Sequence, residues 1–398
     1  MRVAFFLSFF IYGAYFHISY PLIDTFFGLY GFYIFLKESR KTNFWSGFFV
    51  GIFWFYWIAL SFRYYDLTYM IPFIILLAGL VYGVIFALIS YVANPFIKSL
   101  LLLLVSYIHP FGFSWFKPEL IFVNSYLGVE KWQFGIILFS LSLYILLSRK
   151  RDKKFALISL LLILLSLNLY PQKNKDKKLG IDIKLYDQKL PQQIKWNPRY
   201  KEQIINNNLK AINSSIKNKK EMIILPESAF PVYLNKEKLL LKKLRKLSHK
   251  IIIVTGALKY TKKGFYNSTY YFINGKIKIA DKVVLVPFGE EIPLPKPLKN
   301  FVNRIFFDGA EDFKTAKKPT VIAIKGKMFT NAICYEATED IIYKNHPRYI
   351  IAISNNAWFT PSIEPTLQNL LLRYYAKIYH TLIIHSANMG ISEIIFPL

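Results

Sequence analysis

Apolar residues crowd the first 170 positions of the chain and then thin out. Uncharged runs at 3–23, 42–62, 67–97, 99–116, 132–148 and 155–172 are each near or beyond the roughly 20 residues that cross a bilayer as a helix. A shorter run, 25–36, follows Tyr20-Pro21, which reads as a turn, so 3–36 is expected to form a hairpin of two helices. The pattern therefore predicts about seven membrane helices. The first is too long, and too closely followed by others, to be a cleaved signal peptide.

Beyond a short polar linker at 171–178 the periodicity changes. Segments 222–225, 251–255 and 349–353 are short and β-branched, as in buried strands, and 181–186 reads as a further strand. Residues 267–273 and 276–280 flank Asn274-Gly275, a strong hairpin signal. Helices are predicted over 198–217, with Pro198 near the first turn, and over 364–380. Such alternation predicts an α/β domain with a covered sheet. The chain is thus expected to divide into a transmembrane domain, 1–172, and a soluble domain, 173–398.

Charge follows the same division. Residues 1–170 carry 13 basic and 6 acidic side chains, and the remainder carries 38 and 18. The net charge of +27 suits anionic lipid headgroups, and a plain compositional bias toward Lys explains it equally well. No nucleic-acid motif accompanies it. Basic clusters in short loops mark the cytoplasmic side of a membrane protein. Lys37, Arg40 and Lys41 form one cluster, and Arg149, Lys150, Arg151, Lys153 and Lys154 another. Four runs separate them, so both can face the cytoplasm, and the run 155–172 then carries the soluble domain outside. The loop 109–131 falls on the same outer side. There Trp115, Phe116 and Tyr126, with the neighbouring Trp132, are expected to form an interfacial aromatic belt.

The only cysteine, Cys334, can form no internal disulfide, and a lone cysteine is more often a small buried hydrophobe than a nucleophile. Its context argues otherwise. Folds of the α/β class place reactive groups at strand ends. Glu227 follows the apolar run 223–226, and Lys282 follows the hairpin. Cys334 follows Ala332-Ile333 and precedes a predicted helix, whose N-terminus favours thiolate. A carboxylate to take the thiol proton, a thiolate to attack a carbonyl and an ammonium to stabilise the oxyanion suffice for acyl transfer. No metal or cofactor is required, and the six histidines show no ligand spacing. A cysteine–histidine protease stays open here, although no protease signature surrounds Cys334.

Short motifs in a fixed order carry more than any single residue. They are Leu225-Pro226-Glu227-Ser228, then Lys282 with Val286-Pro287-Phe288-Gly289-Glu290, then Ile333-Cys334-Tyr335-Glu336, then Ser354-Asn355-Asn356-Ala357-Trp358-Phe359. On these motifs the chain resembles the bacterial apolipoprotein N-acyltransferases, nitrilase-superfamily domains hung on membrane helices. The resemblance implies a multi-span α-helical membrane domain plus an extracytoplasmic α/β nitrilase-like domain, an αββα sandwich. It implies Glu227 as general base, Lys282 as oxyanion stabiliser, Cys334 as nucleophile and Glu290 as a second carboxylate supporting the lysine. Tyr335 and Glu336 match residues flanking the nucleophile, and Trp196 matches a tryptophan on a mobile loop near the substrate entrance. Ser354, Asn355 and Trp358 of the last motif are read as supporting or substrate-binding. The family commonly has Asp where Asn356 stands and a second Asn where Met389 stands. It also continues past 388–395 with further strands and a final transmembrane helix, whereas this chain ends at Leu398.

The implied reaction has two steps. Cys334 takes an acyl chain from a membrane phospholipid as a thioester, and the α-amine of a diacylglyceryl-cysteine on an apolipoprotein then accepts it. The implied setting is a bacterial inner membrane with the catalytic domain on the periplasmic side. The partners are phospholipid, apolipoprotein and the bilayer, with no nucleic acid. A membrane-anchored nitrilase-type amidohydrolase is the alternative enzyme. A non-enzymatic transporter with a degenerate domain is a third reading, opposed by the scarcity of ionisable residues inside the runs, where His17 is the main exception. The expected topology has a direct check. A phosphatase reporter that works only outside the cytoplasm should be active when fused after Gln172 and inactive after Arg149. The reverse pattern would invert the orientation.

Overall fold

The computed structural model describes residues 1–109, 112–150, 152–168, 179–287, 289–291 and 313–397. The expected linker at 171–178, Arg151 of the second basic cluster, Phe288 of the second motif and the end of the run 155–172 lie outside them. The chain forms two compact units, Met1–Tyr170 with Pro361–Tyr374, and Pro171–Thr360 with Tyr375–Leu398.

The first unit begins with α1 (Arg2–Tyr15), α2 (Pro21–Lys37), α3 (Arg40–Phe55) and α4 (Ile71–Ile89). It continues with α5 (Pro95–Val105), α6 (Lys131–Arg149) and α7 (Lys153–Leu160). Counting 3-10 extensions, the helical stretches Arg40–Tyr64, Thr68–Ile89 and Lys131–Arg149 are long and apolar enough to cross a membrane, while α1 and α5 are apolar but shorter. Local chemistry sets the breaks. Pro21 opens α2 at a position that needs no N–H donor, so the run 3–23 divides there. Asn94 caps α5 by accepting the Phe96 N–H at 2.8 Å, so the predicted span 67–97 holds the whole of α4 and the start of α5.

Helices α3 and α4 touch backbone to backbone. A Cβ on Gly47 would lie 2.3 Å from the Tyr82 carbonyl oxygen, and one on Gly51 would lie 2.5 Å from that of Ala78. Small residues four apart permit this approach between membrane helices. Lys98, buried on α5, donates to the carbonyls of Leu36 and Glu38 at 3.2 and 2.5 Å, closing the C-terminal end of α2. The aromatic loop departs from expectation. Trp115 and Phe116 are buried, with Phe116 against Trp54 and Tyr82 and Trp115 against Trp57, whereas Tyr126 and Trp132 are exposed. An uncharged aromatic segment satisfies the same sequence pattern inside a helical unit as at its rim.

The second unit is a sandwich of two sheets. The first contains β1 (Ile183–Leu185), β2 (Met222–Ile224), β4 (Ile252–Thr261), β5 (Gly264–Ile273) and β6 (Lys276–Asp281) in that spatial order, with β3 (Phe230–Tyr233) paired to β4. The second contains β7 (Val321–Ile324), β8 (Lys327–Ile333), β9 (Tyr349–Asn355), β10 (Leu382–Asn388) and β11 (Glu393–Ile395), again side by side in sequence. Among the described residues, α-helices accompany them. They are α8 (Gln192–Lys195), α9 (Lys201–Lys217), α10 (Lys238–Leu247), α11 (Asp340–Tyr343) and α12 (Glu364–Tyr379), the last shared with the first unit.

Alternation along the strands builds the layers. Met222, Ile224, Ile252, Val254 and Tyr271 pack with Phe329, Ile333, Ile351, Ile353 and Ile384 between the sheets. Their neighbours Ile223, Ile253, Tyr270 and Phe272 point the other way, onto Leu209 and Ile212 of α9 and Leu240 and Leu244 of α10. Strands β8, β9 and β10 are parallel, which requires crossovers, and α11 and α12 supply them. Both crossovers take the same hand, which sets them on one face of the sheet. Tyr343 and Tyr375 stack there at 4.7 Å. The order helix, sheet, sheet, helix is the αββα arrangement expected. The Asn274-Gly275 hairpin forms with both residues at positive φ. The β7–β8 hairpin turns the same way on Lys325-Gly326, a turn that the sequence pattern does not announce.

A hydrogen bond between two side chains helps join the sheets through the core. The fully buried Tyr271 on β5 donates its hydroxyl to Asn331 Oδ1 on β8 at 2.8 Å. Tyr271→Phe should cost about 1–2 kcal/mol, seen as a lower unfolding midpoint of the detergent-solubilised chain. An unchanged midpoint would mean that this bond contributes no net stability.

Candidate active site

The chemistry-bearing residues sit where strands of the second unit end. Glu227 lies just past β2, on a turn whose next residue, Ser228, has φ +48°. The turn presses against β4 so closely that a Cβ on Gly256 would fall 2.5 Å from the Ser228 nitrogen and 2.6 Å from the Glu227 Cα. Glycine is required there because backbone approaches backbone. Lys282 follows β6, and its N–H donates to the Asn267 carbonyl at 2.9 Å, continuing the hairpin pairing by one residue. Cys334 follows β8 and opens a 3-10 turn, Cys334–Thr338.

Asn267, on β5, connects the two carboxylates. Its amide donates to Glu227 Oε1 at 2.7 Å and to Glu290 Oε1 at 3.2 Å. Lys282 Nζ donates to the other Glu290 oxygen at 2.6 Å, and the Val286 N–H reaches the same oxygen at 3.0 Å. The Lys282 side chain is wholly buried. Burial alone would weaken its hold on a proton, but Glu290, then Glu227, then Cys334 outweigh burial and raise its pKa, so the ammonium is held. Burial pushes the Glu227 carboxyl up. Lys282 draws it back, Glu290 opposes Lys282, and Asn267 and Lys195 draw it down again. Removing one member of so buried a pair typically costs about 3–5 kcal/mol, because the other is left unpaired.

Glu336 ties the lysine segment to the cysteine turn. Its Oε2 accepts the N–H groups of Val283 and Val284 at 2.6 and 3.0 Å, and its Oε1 accepts that of Ile333 at 2.8 Å. Burial pushes this carboxyl up to about 7, against Lys282 and the three N–H groups. The backbone at Cys334 has φ +55°, a left-handed conformation that costs a non-glycine residue about 1–3 kcal/mol and persists only where its surroundings enforce it. Glu336 supplies that enforcement from two residues away. The helix expected after Cys334 is only this five-residue 3-10 turn followed by the four-residue α11, so a long helix dipole does not reach the thiol. Cys334 is partly buried against the intersheet core, within electrostatic range of both Lys282 and Lys195.

The other expected residues fall into three groups. Glu290 joins the cluster directly, and Tyr335 is buried beside the thiol in sequence. Ser354 and Asn355 end β9 and enter a neighbouring network. Ser354 Oγ pairs with His385 Nε2 at 2.8 Å, and burial pushes that histidine down to about 4. Asn355 donates to Gln192 at 2.9 Å and accepts from Asn388 at 2.8 Å. Trp358 closes the following 3-10 turn, and Trp196 stands exposed at the end of α8.

Three site residues were not singled out from sequence. Asn267 was legible only as the first residue of a strand. Gly256 carried a signal, since an isolated glycine in a strand marks close backbone approach. Lys195 is wholly buried and donates to the Glu227 carbonyl at 3.0 Å, yet in a lysine-rich chain nothing distinguished it from surface lysines.

Substituting Glu336 tests how the parts are held. Glu336→Gln turns an amide NH₂ toward at least one N–H that now has an acceptor. It should lower stability by about 1–3 kcal/mol and slow covalent labelling of Cys334 by an acyl donor. Wild-type stability and labelling would show that the two segments hold their places without the carboxylate.

Comparison with known proteins bears on both units. Residues 1–169 match a family model described as the apolipoprotein N-acyltransferase integral membrane domain, and residues 191–398 match one described as carbon-nitrogen hydrolase. The chain is 47% identical to the apolipoprotein N-acyltransferase of Wolinella succinogenes, over 98% of this chain and 93% of that one. It is 42% identical to the Helicobacter pylori protein of the same name, over 91% and 85% respectively. Identity to that of Helicobacter hepaticus is 37%, over 95% and 94%.

Proposed function

The chain belongs to the apolipoprotein N-acyltransferase family, and on that premise we propose that it moves an acyl chain from a membrane phospholipid, through a thioester on Cys334, to the α-amine of a diacylglyceryl-cysteine on an apolipoprotein. The observation that carries this reading is the buried cluster Glu227–Asn267–Glu290–Lys282, with Cys334 inside its field.

In the first half-reaction Glu227 takes the thiol proton, and the sulfur attacks the ester carbonyl of the phospholipid. A carboxyl raised by burial is a better proton acceptor at neutral pH than an ordinary one. Negative charge develops on the carbonyl oxygen, and Lys282, already desolvated and held by Glu290, stabilises it without having to reorganise. Collapse expels the lysophospholipid alkoxide, which takes the proton from Glu227, and leaves the thioester. In the second half-reaction the amine attacks the thioester carbonyl, Glu227 takes a proton from the nitrogen, and the thiolate leaves. The two halves share one base, one oxyanion partner and one sulfur, which is a ping-pong sequence.

Both substrates are lipids, so an integral membrane domain keeps the catalytic unit where they are. We take that membrane to be a bacterial inner membrane with the catalytic unit on its periplasmic side, following the basic clusters in the short loops. The division into a membrane part, 1–172, and a catalytic part, 173–398, belongs to the same proposal.

The test follows the acyl group. Purified chain, given labelled phospholipid and a diacylglyceryl-cysteine peptide, should produce N-acyl peptide and lysophospholipid in equal amounts. Cys334→Ala should produce neither. Release of the label mainly as free fatty acid would instead make the chain a hydrolase. An active Cys334→Ala variant would remove the thioester from the account.

A further inference from the structure

Lys195 has no part in the reaction as described, and its position is unusual. It ends the four-residue α8, its side chain is wholly buried, and its ammonium donates to the main-chain carbonyl of Glu227 at 3.0 Å. Three residues earlier on the same face, Gln192 accepts from Asn355, which is held in turn by Asn388. The short helix is therefore pinned at one end to the strand ends β9 and β10 and at the other to the Glu227 turn. That turn is held from below as well, by the glycine contact with β4.

Burying an ammonium is expensive unless charge compensates it. A carbonyl alone does not. Among the described residues, Glu227 and Cys334 compensate Lys195, each favouring its protonated form. Burial still prevails and draws the amine down to about 7. Lys195 in turn favours the ionised form of Glu227, alongside the stronger pull of Lys282 and against Glu290.

We propose that Lys195 is a positioning residue for the base: its ammonium fixes the Glu227 turn through the backbone carbonyl and, as a second buried cation beside Lys282, helps keep the Glu227 carboxylate ionised and ready to accept a proton. This rests on the reading of Glu227 and Cys334 given above. It goes beyond that reading by giving the site two cations with separate tasks, one at the oxyanion and one at the base.

Glu227 acts as a carboxylate, so acylation fails on the acid side. Without the Lys195 charge the carboxylate is harder to form, and the acid limb moves to higher pH. Above the range in which Lys195 is protonated, its charge is absent in the wild type too, and the difference narrows.

The experiment measures the rate of Cys334 acylation by labelled phospholipid between about pH 5.5 and 9 in the full-length solubilised chain. Lys195→Met should be roughly tenfold or more slower at the acid end, with the gap closing toward the alkaline end. Lys195→Arg, which keeps a charge throughout, should hold the wild-type acid limb. An unchanged profile in Lys195→Met overturns the proposal. So does a uniform loss at every pH that Arg does not rescue, which is the mark of a merely structural residue. If Lys195→Met does not fold, a Lys195→Arg acid limb displaced to higher pH overturns it equally. The same series with iodoacetamide, which alkylates the single thiol whatever the natural acyl donor, separates failure of this inference from failure of the lipid reading.

Discussion

The site is organised around a charge that cannot reach water. The Lys282 ammonium is fully enclosed, and a buried cation without compensation would shed its proton or unfold its surroundings. Glu290 provides the compensation, but a carboxylate beside Glu227 creates a second difficulty, two like charges in a dry place. Asn267 addresses it by donating to both. The arrangement leaves Glu227 with a raised proton affinity and Lys282 with its proton held, which suits them to the proposed tasks of base and electrostatic anchor. Glu336 then fixes the lysine segment to the cysteine turn by three backbone N–H groups, and the strained Cys334 backbone is kept in place by the same carboxylate.

The proposed acyl-enzyme intermediate makes particular demands on such a site. A thioester hydrolyses if water is activated beside it, so the base should be shielded. The proton affinity of Glu227 arises from that shielding, and one feature therefore serves both reactivity and protection. The membrane unit contributes in another way. Its close α3–α4 packing and buried aromatic loop make it a structured body of its own, and it gives the chain residence in a bilayer, where the proposed substrates are held.

Much of this was legible in the sequence, for definable reasons. Apolar runs and alternating strands are repetitive patterns, and repetition survives local exceptions. Asn274-Gly275 announced its hairpin because few residues accept positive φ at both positions. Glu227, Lys282, Glu290, Cys334 and Glu336 stood in short ordered motifs. The residues that escaped act through distance in the chain. Asn267 matters because hairpin register carries it to Glu227, forty residues away. Lys195 matters because α8 turns it inward, a decision of tertiary packing that no local pattern encodes. Trp115 and Phe116 were misplaced because an aromatic loop reads the same at a membrane surface and inside a helical unit. The Lys325-Gly326 turn is not legible in the sequence because lysine seldom occupies a left-handed position.

In the proposed mechanism the single thiol carries the acyl group. This is tested most directly by the mass of the purified chain after incubation with phospholipid alone, with no amine acceptor to discharge it. A gain of one acyl chain is expected, confined to the fragment containing Cys334 and released by neutral hydroxylamine, as a thioester is. Absence of an adduct, or an adduct that resists hydroxylamine or maps to another residue, would contradict it.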